Sequence, residues 1–527
     1  MTFSWDFPYP SRRMPVLARN VVATSQPLAA QAGLRMLLAG GNAVDAALAA
    51  AIALTVVEPI RNGIGSDAFA IVWDGKALHG LNSSGRSPRA WSPQRFAGLT
   101  AMPALGWDTV TVPGAVAAWA ALSHRWGKLP FADLFGPAVA YARKGFAVTP
   151  ITARHWQDAK ALYPQFVEIN RTFFPSGRAP QAGEAFRCPP QADTLTAIAE
   201  SRGEAFYRGP IAEKIAACAA DEGGAMTLDD LSAHTADWVE PLAVDYRGVT
   251  LHEIPPNGQG IAALIALGIL RNFDLKRYPV DSVDSLHLQI EAMKSAFAEV
   301  FRHVADIDHM QRPPTELLRE DRLTAQASAI RMDRAAQATT KAPRGGGTVY
   351  LTAADESGMM VSFIQSNYIG FGSGIVVPGT GIALQNRGLG FVLEEGHPNQ
   401  VGGGKRPFQT IIPGFVTRND RPLMSFGVMG AHMQPQGHVQ MMVRIFDHGQ
   451  NPQAACDAPR WHVAPDGGVE LETGFSQAVA EGLRKKGHPV GTRAPASLFG
   501  GGQLIYRLSD GYAAASDMRK DGQAVGF

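Results

Sequence analysis

Cysteine is scarce: 527 residues hold three, Cys188, Cys218 and Cys456. None stands in a CxxC pair or beside a histidine cluster, which excludes a disulfide framework or zinc ribbon and leaves reduced, buried thiols. Charge of one sign is also missing. Lys and Arg number 48 and Asp and Glu 47, for a net charge of +1, so there is no basic bias of the kind nucleic acid or anionic lipid selects. The longest apolar run, Ala46 to Val57, is shorter than the roughly 20 residues that span a bilayer. The opening MTFSWDFPYPSRRMPV lacks the apolar centre of a signal peptide, so a cytoplasmic protein is expected, without membrane or nucleic-acid partners. No GxSxG or HExxH occurs. His432 and His438 lie six apart without a third ligand, which reads as structural or pocket histidines. No metal and no cofactor is expected.

What is present is length and glycine. A chain of this size exceeds one ordinary core, and its 56 glycines are spread widely, as tight turns and close backbone approaches require. Two Ala-rich helices flank Gly40-Gly41-Asn42, with Asn42 as N-cap of a second helix that is apolar nearly all round and therefore buried. A hairpin turned at Asp74-Gly75 follows. Helices are expected near 114–126, 131–144, 192–220, 282–303 and 434–447, and a strand pair turns at Arg247-Gly248. The stretch 311–347 loses apolar content, ends in Pro-Arg-Gly-Gly-Gly and reads as a linker. Helices grouped on either side of antiparallel strands predict an α+β sandwich. GIGSDA, Gly63 to Ala68, fits a dinucleotide pattern in letters only. A helix precedes it and a strand follows, the reverse of the order such sites need, so a glycine turn shaping a pocket is the better reading.

The stretch RGGGTVYL, Arg344 to Leu351, runs three glycines into a β-branched residue. It could be an ordinary strand start. It could also become a chain terminus. If the Gly347–Thr348 bond is cut, the new α-amino group, with a pKa of about 8, lies beside the Thr348 hydroxyl and can serve as its base. Self-cleavage by attack of Oγ on the Gly347 carbonyl suits glycines, which tolerate strained backbone.

Several stretches, in order along nearly the whole chain, resemble the γ-glutamyltranspeptidase family of N-terminal nucleophile hydrolases. They include AGGNAVDAALAAAIALTVVEP, GIGSDAFAIVWDG, VTVPGAVAAW, FGSGIVVPGTGIALQNRG, GGGKRPFQTIIPGFV and NPQAACDAPRW. The resemblance implies a four-layer αββα sandwich and cleavage into fragments 1–347 and 348–527, intertwined in one unit. It also implies an acyl-threonine mechanism on Thr348. Ser366 falls where the family places a hydroxyl bonded to the nucleophile, and Met429-Gly430-Ala431 falls on its oxyanion loop, where backbone N–H groups do the work.

The departures bear on substrate. Val349 and Tyr350 stand where the family has Thr and His. Its aspartate pair for a substrate ammonium falls on Leu389-Gly390, and its adjacent serines fall on Gln409-Thr410. Asn367 or Tyr368 takes the place of a substrate-anchoring Asn. An anionic end could be held by Arg86 or Arg387, since an arginine fork matches a carboxylate. The expected reaction is hydrolysis of a small carboxylate-bearing amide, with oxamate, released as oxalate and ammonia, the leading candidate. A γ-glutamyl hydrolase or transpeptidase, an acylase of larger amides, and an unprocessed scaffold are the alternatives. A homodimer is expected from fold type.

Overall fold

A computed structural model describes residues 13–336, 347–464, 466–491, 494 and 496–527. Its centre is a pair of seven-stranded sheets in which every pairing is antiparallel. One sheet runs Gln523–Gly526, Val21–Thr24, Gly347–Ala354, Met360–Tyr368, Asp67–Trp73, Leu78–Ser83, Asp237–Val239. The other runs Val16–Ala18, Gly511–Ser516, Gly501–Leu508, Arg421–Met429, Gly414–Arg418, Val249–Glu253, Leu242–Tyr246.

Alternation along each strand divides the interior into three apolar layers. Phe69, Ile71, Tyr350, Met360 and Ile364 of the first sheet meet Phe415, Met429, Ile505 and Ala514 of the second. The intervening residues Ala68, Ala70, Val349, Leu351, Val361 and Phe363 point outward, against helices that include Ala43–Val57 and Ala115–Trp126. On the far side Val416, Met424, Phe426 and Val428 pack against Ile261–Leu270, Val283–His303 and Met433–Met442. The result is the expected αββα sandwich.

Ala43–Val57 is buried on every face and begins with Asn42, which accepts the N–H groups of Val44 and Asp45 while Asp45 accepts the Asn42 N–H. That reciprocal cap satisfies donors at the helix start that have no partner within the helix. The helical region expected across 192–220 consists of three helices, Pro189–Glu200, Glu204–Arg208 and Pro210–Asp221, interrupted at Gly203 and Gly209. The stretch expected as a linker carries helices Pro314–Leu317 and Glu320–Ala329. Leu317 of the first, and Leu323 and Ala327, four apart on one face of the second, are buried in the core, so low apolar content hid an ordered segment. Residues 337–346 of that stretch lie outside the described ones. All three cysteines are free and buried. Among the described residues no helix is long and apolar enough to cross a membrane.

Candidate active site

The strand Gly347–Ala354 runs through the middle of its sheet. Tyr350, Thr352 and Ala354 face the other sheet, and Thr348 continues that face. A register shift between Gly347 and Val349 sets the single residue Thr348 opposite two, Ser366 and Asn367, so the bulge lies in the partner strand directly across from Thr348, a device that re-aims side chains at a strand end. Thr348 is 1 % exposed. Its Oγ1 lies 2.7 Å from the Gly347 carbonyl oxygen and 3.3 Å from Ser366 Oγ. Ser366 donates its own hydroxyl to the same carbonyl at 2.6 Å and accepts the Tyr368 N–H at 2.8 Å. Two hydroxyls therefore converge on one peptide carbonyl, one of them from the residue whose bond would break. A hydroxyl thus lies beside a peptide carbonyl, with a second donor on the same oxygen, an arrangement able to stabilise charge that develops there.

Gly430 and Ala431 follow directly from the strand Arg421–Met429 and lead into the helix Met433–Met442. Their φ angles are 123° and 50°. Ala431 sits in the left-handed region that costs an L-residue about 1–2 kcal/mol, and such strain persists where surrounding structure imposes it. From the first turn of this helix Gln434 donates to Thr348 Oγ1 at 3.3 Å and accepts the Ile412 N–H at 2.9 Å. The helix N-terminus is thus delivered to the hydroxyl, positive end first.

A second cluster adjoins the first. Tyr368 shares the inward face with Ser366, and its left-handed φ of 77° turns the chain there. Arg387 stacks on its ring, guanidinium carbon 4.8 Å from the centroid. Arg387 is 1 % exposed; Nη1 donates to Thr410 Oγ1 at 2.8 Å, while among the described residues Nε and Nη2 have no hydrogen-bond partner. A buried guanidinium with its Nε–Nη2 edge unused is arranged for a planar anion. Burial lowers its pKa to about 10, which leaves it charged at neutral pH.

Gln409 is turned away from Arg387 and donates to Asp67 Oδ2 at 2.9 Å, while its own oxygen accepts the Thr410 N–H. Gln259 ties the two clusters, donating to the carbonyls of Thr410 at 2.6 Å and Ala431 at 2.9 Å.

The structure thus gathers Thr348, Ser366, Gly430, Ala431, Tyr368, Arg387, Gln409 and Thr410 around one end of the sheet sandwich. Asn367 faces the opposite way, accepting the Ser66 hydroxyl at 2.8 Å, so of the two it is Tyr368 that lies on the side of Ser366. Arg86 is engaged elsewhere. Its guanidinium pairs with Asp306 at 2.8 Å and with the Gly404 carbonyl, on the wall of a separate cavity of about 130 Å³ that Arg89, His234 and Arg406 also line.

Sequence reasoning passed over Asp67 and Gln434. Asp67 was visible as an acid opening an apolar strand, DAFAIVW, at an inward position. Gln434 carried no signal beyond following the glycine turn. Among the described residues one group could hold a metal, His287, Glu291 and His488. There the Lys294 ammonium already bonds Glu291 at 2.9 Å and His488 at 3.1 Å, filling a cation's place. Glu291 and Lys294 also hold the N–H and carbonyl of Ala336, so the cluster anchors the end of the segment.

Residues 29–527 match the family model for gamma-glutamyltranspeptidase. The chain is 36 % identical to a glutathione hydrolase-like YwrD proenzyme of Bacillus subtilis, covering 97 % of this chain and 98 % of that protein. It is 35 % identical to an oxamate amidohydrolase proenzyme of Klebsiella pneumoniae, covering 97 % and 99 %. The crystal structure of a cephalosporin acylase from Bacillus halodurans superimposes with a TM-score of 0.95 at 49 % identity, covering 100 % and 99 %.

Proposed function

The chain belongs to the γ-glutamyltranspeptidase family, and from that premise we propose that it is a self-processing amidohydrolase with Thr348 as nucleophile and a carboxylate-bearing amide as substrate. The observation that carries this reading is the convergence of the Thr348 and Ser366 hydroxyls on the Gly347 carbonyl. In the first step Thr348 Oγ attacks that carbonyl carbon and the peptide nitrogen leaves as the Thr348 amine. An ester results, which water hydrolyses to a Gly347 carboxylate and a free N-terminus. Ser366 stabilises the oxyanion of this step. In turnover the freed amine takes the Thr348 hydroxyl proton, Oγ attacks the substrate amide, and the Gly430-Ala431 turn meets the oxyanion. The amine product leaves with a proton, and water frees the acid.

The substrate's anionic end docks on the Nε–Nη2 edge of Arg387. With Leu389-Gly390 in place of an aspartate pair, that end needs no ammonium, which disfavours γ-glutamyl compounds. Oxamate meets the requirement in the smallest form, and the likeness to the Klebsiella enzyme supports it. A second reading, an acylase releasing a longer carboxylate-bearing acyl group, is favoured by full-length similarity to the Bacillus halodurans acylase.

Intact-mass measurement should find two fragments split before Thr348, and Thr348→Ala should stay a single 56.2 kDa chain. Rates on oxamate, a glutaryl amide and a γ-glutamyl anilide then decide the substrate. Turnover of the γ-glutamyl anilide alone would overturn the reading of a site without an ammonium seat and with it the choice of oxamate, and a wild-type chain that stays whole would overturn the mechanism.

A further inference from the structure

GIGSDA was set aside as a glycine turn, and its acid has no part in the reaction just described. Asp67 is fully buried, opens its strand, and lies opposite Ser366 in the pairing of Asp67–Trp73 with Met360–Tyr368. Its Oδ1 accepts the N–H groups of Gly85 at 3.3 Å and Gly114 at 3.2 Å, and Oδ2 accepts Gln409 at 2.9 Å. With these three donors it is a poor seat for a substrate ammonium. Through Gln409 and Thr410 it connects to Arg387 in a closed polar circuit: Asp67 holds the Gln409 amide, Gln409 holds the Thr410 N–H, and the Thr410 hydroxyl holds Arg387.

We propose that Asp67 is a specificity-determining positioning residue that takes up one proton when a carboxylate docks on Arg387. The inference rests on the reading of Arg387 as the carboxylate dock. Its reason is charge balance in a dry site. Without ligand, Arg387 and an ionised Asp67 sum to zero. Adding a carboxylate leaves a buried net negative charge, which low-dielectric surroundings oppose. One proton from solvent onto Asp67 restores neutrality, while the Gln409 oxygen stays on the Thr410 N–H.

Burial already raises the Asp67 pKa to about 7, against the opposing pull of Arg387 and of the Gly85 and Gly114 N–H groups. The other charged or titratable groups facing it do not take over this role. Arg406 is paired with Asp237 at 2.7 Å. The Tyr207 phenol, pushed upward by burial, stays neutral.

The test is calorimetry of the processed wild-type enzyme with oxalate and with glutarate at pH 7.5, in buffers of different ionisation enthalpy. Expected is uptake approaching one proton per ligand, with Kd rising by up to about tenfold per pH unit above 7. In Asp67→Asn the uptake should vanish and Kd should be flat from pH 6 to 8.5. A neutral anilide substrate should show no matching rise of KM in the wild type. Binding without proton uptake, or the same uptake in Asp67→Asn, overturns this inference and leaves the Arg387 dock standing. If neither dicarboxylate binds, the dock itself falls. Should Asp67→Asn fail to fold, the wild-type calorimetry decides alone.

Discussion

Ser366 and Thr348 meet at one carbonyl oxygen, and their substitutions should separate two roles. Thr348→Ala removes the nucleophile and should abolish both processing and turnover. Ser366→Ala keeps the nucleophile and removes one donor from the Gly347 carbonyl, so self-cleavage should slow by about 10²–10³-fold, the usual cost of an oxyanion donor. Timed denaturing gels of freshly refolded chain check both. Arg387→Met should raise KM for the carboxylate-bearing substrate through a loss of about 2–5 kcal/mol, the range for truncating a buried charge partner, with much less effect on a neutral amide. For Asp67 the stability sign is fixed by its raised pKa. Its contribution is full below the ordinary carboxylate value and is lost as pH rises toward about 7. The stability deficit of wild type against Asp67→Asn should therefore grow from about pH 4 to 7 and level off above, measured as the urea midpoint of both proteins. Thr348 and Ser366 were legible because the ordered family stretches place them. Asp67, Gln434 and the Arg86 outcome were not, because each depends on which distant segment lies against it, and a linear pattern carries no such tertiary pairing.

Elements hold these residues in place through a few buried polar contacts. Asp355, in the turn after the strand that carries Thr348, accepts the Ala43 N–H at 2.7 Å. The start of the Ala43–Val57 helix is therefore capped twice, by Asn42 and by the hairpin that carries Thr348. Asn42→Ala should cost about 1 kcal/mol, as lost caps do, visible as a lower urea midpoint with processing intact. On the other side of the sandwich His438 of the Met433–Met442 helix bonds Glu253 at 2.6 Å, with both side chains wholly buried. That pair fixes the helix whose first turn brings Gln434 to Thr348. Glu253→Ala should destabilise by about 3–5 kcal/mol, the cost of breaking a buried pair, and should slow self-cleavage with it. Burial patterning made most elements readable: the all-apolar helix, the Asp74-Gly75 hairpin and the strand leaving Thr348 were all expected. Less readable were Glu320–Ala329, whose buried face is only two residues wide, and the three strands between Gly501 and Gly526, where small residues such as Ala513 to Ala515 blur the alternation a strand needs.

At the scale of the molecule, cleavage before Thr348 would not produce two domains. In one sheet the strand Gly347–Ala354 lies between Val21–Thr24, from the first fragment, and Met360–Tyr368, from the second, which in turn pairs with Asp67–Trp73 of the first. In the other sheet Gly414–Arg418 pairs with Val249–Glu253, and Gly511–Ser516 pairs with Val16–Ala18. Neither sheet is complete with one fragment removed, and the inter-sheet layer draws Phe69 and Ile254 from one fragment and Tyr350, Phe415 and Ile505 from the other. Separating them would expose unpaired central strands and most of that layer, a loss far beyond the few kcal/mol of net stability a fold retains. The processed protein should therefore elute from a sizing column as one species under native conditions, although a denaturing gel resolves two bands. Fragments 1–347 and 348–527 expressed separately should be insoluble or unfolded, and co-expression should restore the assembled fold. A stable, independently folded 348–527 would contradict the interleaved architecture as the source of stability, and would make the peptide bond before Thr348 a boundary between domains.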